Sequence, residues 1–168
     1  GGKLFLLVYG AGGLRWKAIK AMRPIVVDLG PEFLDKAIGI AGLPANNRKH
    51  FMDDLFVPVQ KLTSMQELQE KLMARGFKNI VRWTGETYDH ESSPAAQLED
   101  IEKLERIAAF CVSLAKTPLD RYLANLLKDT ACLYVQTTRS VINDTSLSSN
   151  EVREIVIGES NLRVVATI

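Results

Sequence analysis

The run Lys3-Leu4-Phe5-Leu6-Leu7-Val8-Tyr9 constrains the chain more than any other stretch. It is apolar without alternation after Lys3, so it reads as a strand covered on both faces, as strands are inside an α/β sheet. Gly10-Ala11-Gly12-Gly13 ends the run, and Leu14 to Met22 reads as a short helix stopped by Pro24. A strand that needs cover on both sides commits the remaining chain to helices on either face of a sheet. With 168 residues, 46% of them hydrophobic, the chain can bury such a core within one domain.

The pattern beyond Pro24 supplies those helices. Pro31 to Ala41 and Asn46 to Phe56 read as helices separated by Gly42 and Pro44. Thr63 or Ser64, followed three residues later by Gln66 or Glu67, gives the clearest helix start, and Gly76 gives its stop. Asn79 to Thr84 then reads as a strand. Helix, glycine, strand is an αβ unit and favours a mixed or parallel sheet. Leu98, Ile101, Leu104, Ala108 and Cys111 mark one face of a long helix. Pro118 opens a second, along which Leu119, Tyr122, Leu123, Leu126, Leu127 and Leu133 recur. The pair predicts an antiparallel hairpin over 92–148 inserted within a single domain of 1–168. A short helix near Asn150 to Val156 leads through Gly158 to a last strand, Leu162 to Thr167. Three strands are few for so many helices, and the sheet is expected to leave an open edge.

Charge excludes several functions. The formal net charge is +1, which argues against general binding of nucleic acid or an acidic membrane. No apolar run is long enough to span a bilayer. Cys111 and Cys132 lack metal-ligand spacing and read as buried free thiols, as in a reducing, cytoplasmic setting. No metal site is assigned. The opening at Gly1, directly before a strand, leads us to expect an excised or truncated piece.

Three stretches together resemble the carboxy-terminal part of a class I S-adenosylmethionine-dependent methyltransferase. Gly1-Gly2 followed by Lys3 to Gly10 is similar to the glycine pair and fifth strand of that fold. Val57-Pro58-Val59-Gln60, then Thr63 to Leu68, then Ala74-Arg75-Gly76-Phe77 resembles its substrate-side loop and the helix after it. Gly158 to Ala166 resembles its closing hairpin strand. The resemblance covers roughly 1–90 and 156–168. It implies a partial Rossmann-like sheet of about three strands, with S-adenosylmethionine held by a front half that would precede Gly1. This chain would then shape the acceptor pocket and be inactive alone, needing a complementing N-terminal half. The acceptor and the catalytic residues are not identified. The resemblance also sets Gln60 over the active site.

Two rival readings stand beside it. Gly10 and Gly12 lie between a strand and a helix, where a dinucleotide-binding turn would lie, and Asp28 ends Ile25-Val26-Val27-Asp28 at a distance suited to a ribose carboxylate. That reading predicts an NAD-dependent oxidoreductase fragment, but Arg15 stands where a small residue is needed. The helical hairpin alone would instead make a non-catalytic interaction module that self-associates or takes a helical partner.

Single residues add candidates. Arg15, Lys17, Lys20 and Arg23 form a basic run that would suit a phosphate-bearing acceptor, although a solvated helix face is the plainer reading. His50, Asp53 and Asp54 share a helix face that could act as a base or hold a metal weakly, but a third ligand is missing. Tyr88, Asp89 and His90 could form an acid–base pair at a strand end. Trp16 and Trp83 read as packing residues. Tyr9, Arg15, His50, Asp54 and Gln60 are the candidate substrate contacts, with Gly10 and Gly12 the candidate cofactor contacts.

Overall fold

The computed structural model describes residues 2–57, 61–83, 93–159 and 161–168. In chain order it contains β1 (Lys3–Tyr9), α1 (Leu14–Leu29), α2 (Pro31–Ile40), α3 (Ala45–Phe56), α4 (Met65–Met73) and β2 (Lys78–Arg82). These are followed by α5 (Pro94–Leu114), α6 (Pro118–Asn143), α7 (Ser149–Val156) and β3 (Asn161–Thr167). The protein is α/β, mostly helical, with a small three-stranded antiparallel sheet among the described residues. No helix among them is long and apolar enough to cross a membrane.

Several starts follow local chemistry. Ser64 caps α4, its hydroxyl accepting from the Glu67 amide at 3.1 Å. Thr117 with Asp120 and Ser148 with Glu151 form capping boxes at α6 and α7. Gly76, at φ 84°, ends the turn after α4, a conformation that costs glycine little.

Pro24 does not stop α1, which runs on to Leu29, so Ile25 to Asp28 is helix and not the second strand that the dinucleotide-binding reading requires. A proline inside a helix costs about 3 kcal/mol. Burial of Met22, Ile25 and Val26 against the other helices offsets it, at about 1.5–3 kcal/mol for each large apolar side chain.

The sheet order is β1-β3-β2, and both ladders are antiparallel. The expected parallel or mixed pairing of neighbouring strands does not occur. The chain leaves β2 for three helices and returns with β3 between the two earlier strands, so β1 and β2 point the same way without touching. Lys78, one residue earlier than expected, opens β2.

Only one face of β1 is covered, not the two expected. Leu4, Leu6 and Val8 pack with Leu162, Val164 and Ala166 against Leu68 and Leu72 of α4. Phe5, Leu7 and Tyr9, on the alternate positions, are more than half exposed. The larger core is helical and joins Trp16, Ile19 and Met22 of α1 to Leu34 and Ile38 of α2, Phe51 and Leu55 of α3, Leu104 and Ile107 of α5, and Leu127 of α6. The α5–α6 hairpin therefore supplies one wall of the main core. Cys111 is buried there, while Cys132 is only half-buried, and both are free.

Candidate functional site

The carboxyl end of β1 is where sheet and helices meet. Gly10 bridges to Thr63, with the Thr63 amide donating to Tyr9 O at 3.1 Å and Ala11 N donating to Thr63 O at 3.2 Å. The other side of this turn is filled by the turn between α7 and β3. A Cβ on Gly10 would lie 1.4 Å from Glu159 O, and one on Gly12 would lie 2.3 Å from Glu159 N. Glycine is needed here for close approach of backbone to backbone. The Glu159 carboxylate also accepts from the Met65 amide at 2.9 Å, satisfying an open donor of α4. The space that a phosphate would need beside Gly10 and Gly12 is thus taken by the chain itself. With Ile25 to Asp28 helical, Asp28 does not end a second strand either.

A pocket of about 430 Å³ opens next to this turn, between the end of β1 and helices α1, α3 and α5. Tyr9, Arg15, His50 and Asp54, from three separate elements, all line it. Gln60 lies outside the described residues, as do Tyr88, Asp89 and His90. Asp53 is exposed and does not line the pocket. No group of three metal-ligating side chains occurs among the described residues.

Arg15 organises the pocket. Its Nη2 lies 2.6 Å from Asp54 Oδ2 and its Nε 3.3 Å from Asp100 Oδ2, tying α1 to α3 and α5. The Arg15 and Asp54 side chains are only 14% and 13% exposed. The guanidinium stacks 4.9 Å from the centre of the Trp16 ring, and Tyr9 packs on Trp16 at 5.1 Å. Trp16 therefore packs in the core and also faces the pocket. On α5, Lys103 Nζ reaches Glu99 Oε1 and Asp100 Oδ1, each at 3.1 Å. Burial opposes the Lys103 ammonium, yet these hydrogen bonds and the two carboxylate charges outweigh it and hold its pKa above the ordinary lysine value.

The two arginines of the basic run are spent inside the fold, whereas Lys17 and Lys20 are exposed. Arg23 donates to the backbone carbonyls of Asp54 and Val57, so both arginines of the run fasten α3 to α1. What the pocket has to spare is different. Gln97 is 94% buried and lines it, and its Oε1 has no hydrogen-bond partner among the described residues. The Arg15 Nε–H, though near Asp100, makes no aligned hydrogen bond.

No protein-family model, curated protein or solved structure matches this chain.

The α5 residues of the pocket were missed in the sequence. Gln97, Asp100 and Lys103 recur every three residues, beside the apolar stripe of Ile101 and Leu104. That polar row at helical spacing was the available signal.

Proposed function

We propose that the chain is the acceptor-side part of an S-adenosylmethionine-dependent methyltransferase, and that the pocket around Arg15 receives the methyl acceptor. One observation carries the reading. The three separated stretches on which the resemblance rests come together around one sheet: Lys3–Tyr9 pairs with Asn161–Thr167, and α4 with Phe77, from the middle stretch, packs against both. β2 and β3 pair antiparallel with α5, α6 and α7 inserted between them, which suits the closing-strand role that the resemblance implies for Gly158 to Ala166. The pocket opens at the carboxyl end of β1, where ligands of open α/β sheets bind.

The glycine turn does not fit a cofactor, because the Glu159 backbone fills it. No transfer step therefore runs through a cofactor seat in this chain. Its own residues would bind and orient the acceptor and exclude water from it. The long edge of β1 away from β3, unpaired along Lys3 to Val8 among the described residues, and the exposed face bearing Phe5, Leu7 and Val81 offer a surface for a cofactor-holding half.

The lining favours an aromatic acceptor rich in donor groups over a phosphorylated one. Tyr9, Trp16 and Phe51 provide aromatic surface, Gln97 Oε1 awaits a donor, and three carboxylates face two cations already paired with them. Tyramine, which carries a ring, a hydroxyl and an ammonium, is a direct probe, with phenyl phosphate as its anionic counterpart. In a Trp83→Phe variant the fluorescence of Trp16 should change saturably with tyramine, respond little to phenyl phosphate, and lose the tyramine response with Gln97→Leu. Preference for phenyl phosphate would overturn the acceptor class. Tight calorimetric binding of S-adenosylhomocysteine or NAD by this chain would overturn the assignment of the cofactor to another half.

A further inference from the structure

The exposed face of the sheet differs from the rest of the surface. β1, β2 and β3 together hold Lys3, Lys78, Arg82 and Arg163 and no Asp or Glu, whereas the whole chain carries a formal charge of only +1. Net charge averages over every face of a molecule, so it hides a local patch of one sign. Ladder partners share a face of the sheet, and the registers therefore fix what this one presents. Lys3 and Lys78 flank Thr167 from its two sides, about 10 Å apart. Neither lysine side chain has a hydrogen bond or ion pair among the described residues.

Aromatic rings stand beside these cations. Phe5 is 62%, Tyr9 56% and Trp83 39% exposed. Trp83 reads from the sequence as a packing residue, yet its ring lies on the open face, edge-on to Phe5 with centroids 6.2 Å apart and planes at 83°. Phe5, Leu7, Trp83 and Arg163 line a slot of about 300 Å³. Tyr9 continues the aromatic row about 13 Å further along β1.

The mixture selects the partner. Lysine is depleted where protein packs on protein. An acid-free face of rings and cations suits a polyanion that also carries flat bases, with phosphates for the lysines and π-faces for the rings. A single strand offers both, whereas a duplex keeps its bases stacked inside. The cofactor-holding half can join along the β1 edge alone, which leaves the face to a second partner. Such binding needs no methyl transfer and holds whether or not the Arg15 pocket receives an acceptor.

We propose that the exposed sheet face binds single-stranded nucleic acid without regard to sequence, one base stacking in the Phe5–Trp83 slot and neighbouring phosphates lying on Lys3 and Lys78.

Fluorescence anisotropy of a labelled oligothymidylate of about 12 nucleotides reads the binding. The expected dissociation constant is about 1–100 μM, the range of sequence-independent binding. Its logarithm should rise with the logarithm of salt concentration at a slope of about 1.4, the value for two phosphates of a single strand, and Lys78→Gln should lower that slope by about 0.7. Trp83→Ala should weaken binding at least about fivefold, the low end for one base on one ring, with an unchanged far-ultraviolet circular dichroism spectrum. A duplex of the same length and an abasic strand should each bind at least about tenfold more weakly, because neither offers a free base. No binding at about 100 μM protein, an affinity untouched by Trp83→Ala, or equal affinity for the abasic strand would overturn the proposal. So would tighter binding to vesicles of phosphatidylcholine and phosphatidylserine than to the strand, which would make the face a membrane contact.

Discussion

Arg15 Nη2 meets Asp54 Oδ2 at 2.6 Å, and through this contact the first turn of α1 holds the last turns of α3 over the pocket. Both groups are largely out of water, so removing Asp54 leaves the Arg15 guanidinium with Asp100 alone, 3.3 Å from its Nε. Asp54→Ala should cost about 3 kcal/mol, read from urea unfolding. The double variant Arg15→Met, Asp54→Leu should recover much of that loss, because an apolar pair of similar size fills the same place. A loss below about 0.5 kcal/mol for Asp54→Ala would mean that the pair behaves as a solvated surface bridge.

The glycines divide by what surrounds them. Gly12→Ala drives a Cβ into the Glu159 backbone and should cost about 3 kcal/mol or prevent folding. Gly39, inside α2, has nothing within 4 Å of its added Cβ. Gly39→Ala should therefore raise stability by about 0.5–1 kcal/mol, the helix-propensity gain. Thermal melts of the two variants should move in opposite directions.

Lys103 sets a dependence on alkaline pH. Its pKa in the folded protein lies above the ordinary 10.5. Its stabilisation is therefore complete below the unfolded value and is lost as pH rises through the folded one. The stability gap between the wild type and Lys103→Met should stay level up to about pH 10 and narrow above it. A gap that closes near neutral pH would assign the titration to another group.

The two thiols should react at different rates. Burial pushes the Cys111 thiol up to about 12, while half-buried Cys132 touches Gln136 Nε2 at 3.4 Å. Thiolate and access together set the rate. An aromatic disulfide reagent at mildly alkaline pH should label Cys132 first and reach Cys111 only on unfolding. Fast labelling that persists in Cys132→Ser would contradict the placement of Cys111 in the core.

The sequence announced its elements better than their arrangement. Ser64 with Glu67, Gly76 and Pro118 mark element ends by chemistry that acts within a few residues, and they mark them correctly. Pro24 misled, because the apolar face that carries α1 through it is completed only by distant helices. Strand order was not legible either, since the insertion of β3 between β1 and β2 depends on pairing across most of the chain. On α6 the apolar positions cover more than one face. Periodicity alone did not show that Leu123 and Leu127 turn inward while Leu119, Leu126 and Leu133 turn out. Tyr9, Arg15, His50 and Asp54 were picked singly for their chemistry, and nothing local predicted that one cavity would gather them.

The central place of β3 also sets a timetable for synthesis. Leu6 pairs with Val164, so β1 leaves the ribosome long before its partner exists. At typical elongation rates that interval is roughly 8–30 s. For that time the backbone edge that β3 will fill lies open to other nascent chains. The protein should therefore rely on a chaperone that shields extended apolar segments during that interval, and variants with a charge at Phe5 or Leu7 should aggregate less while being made.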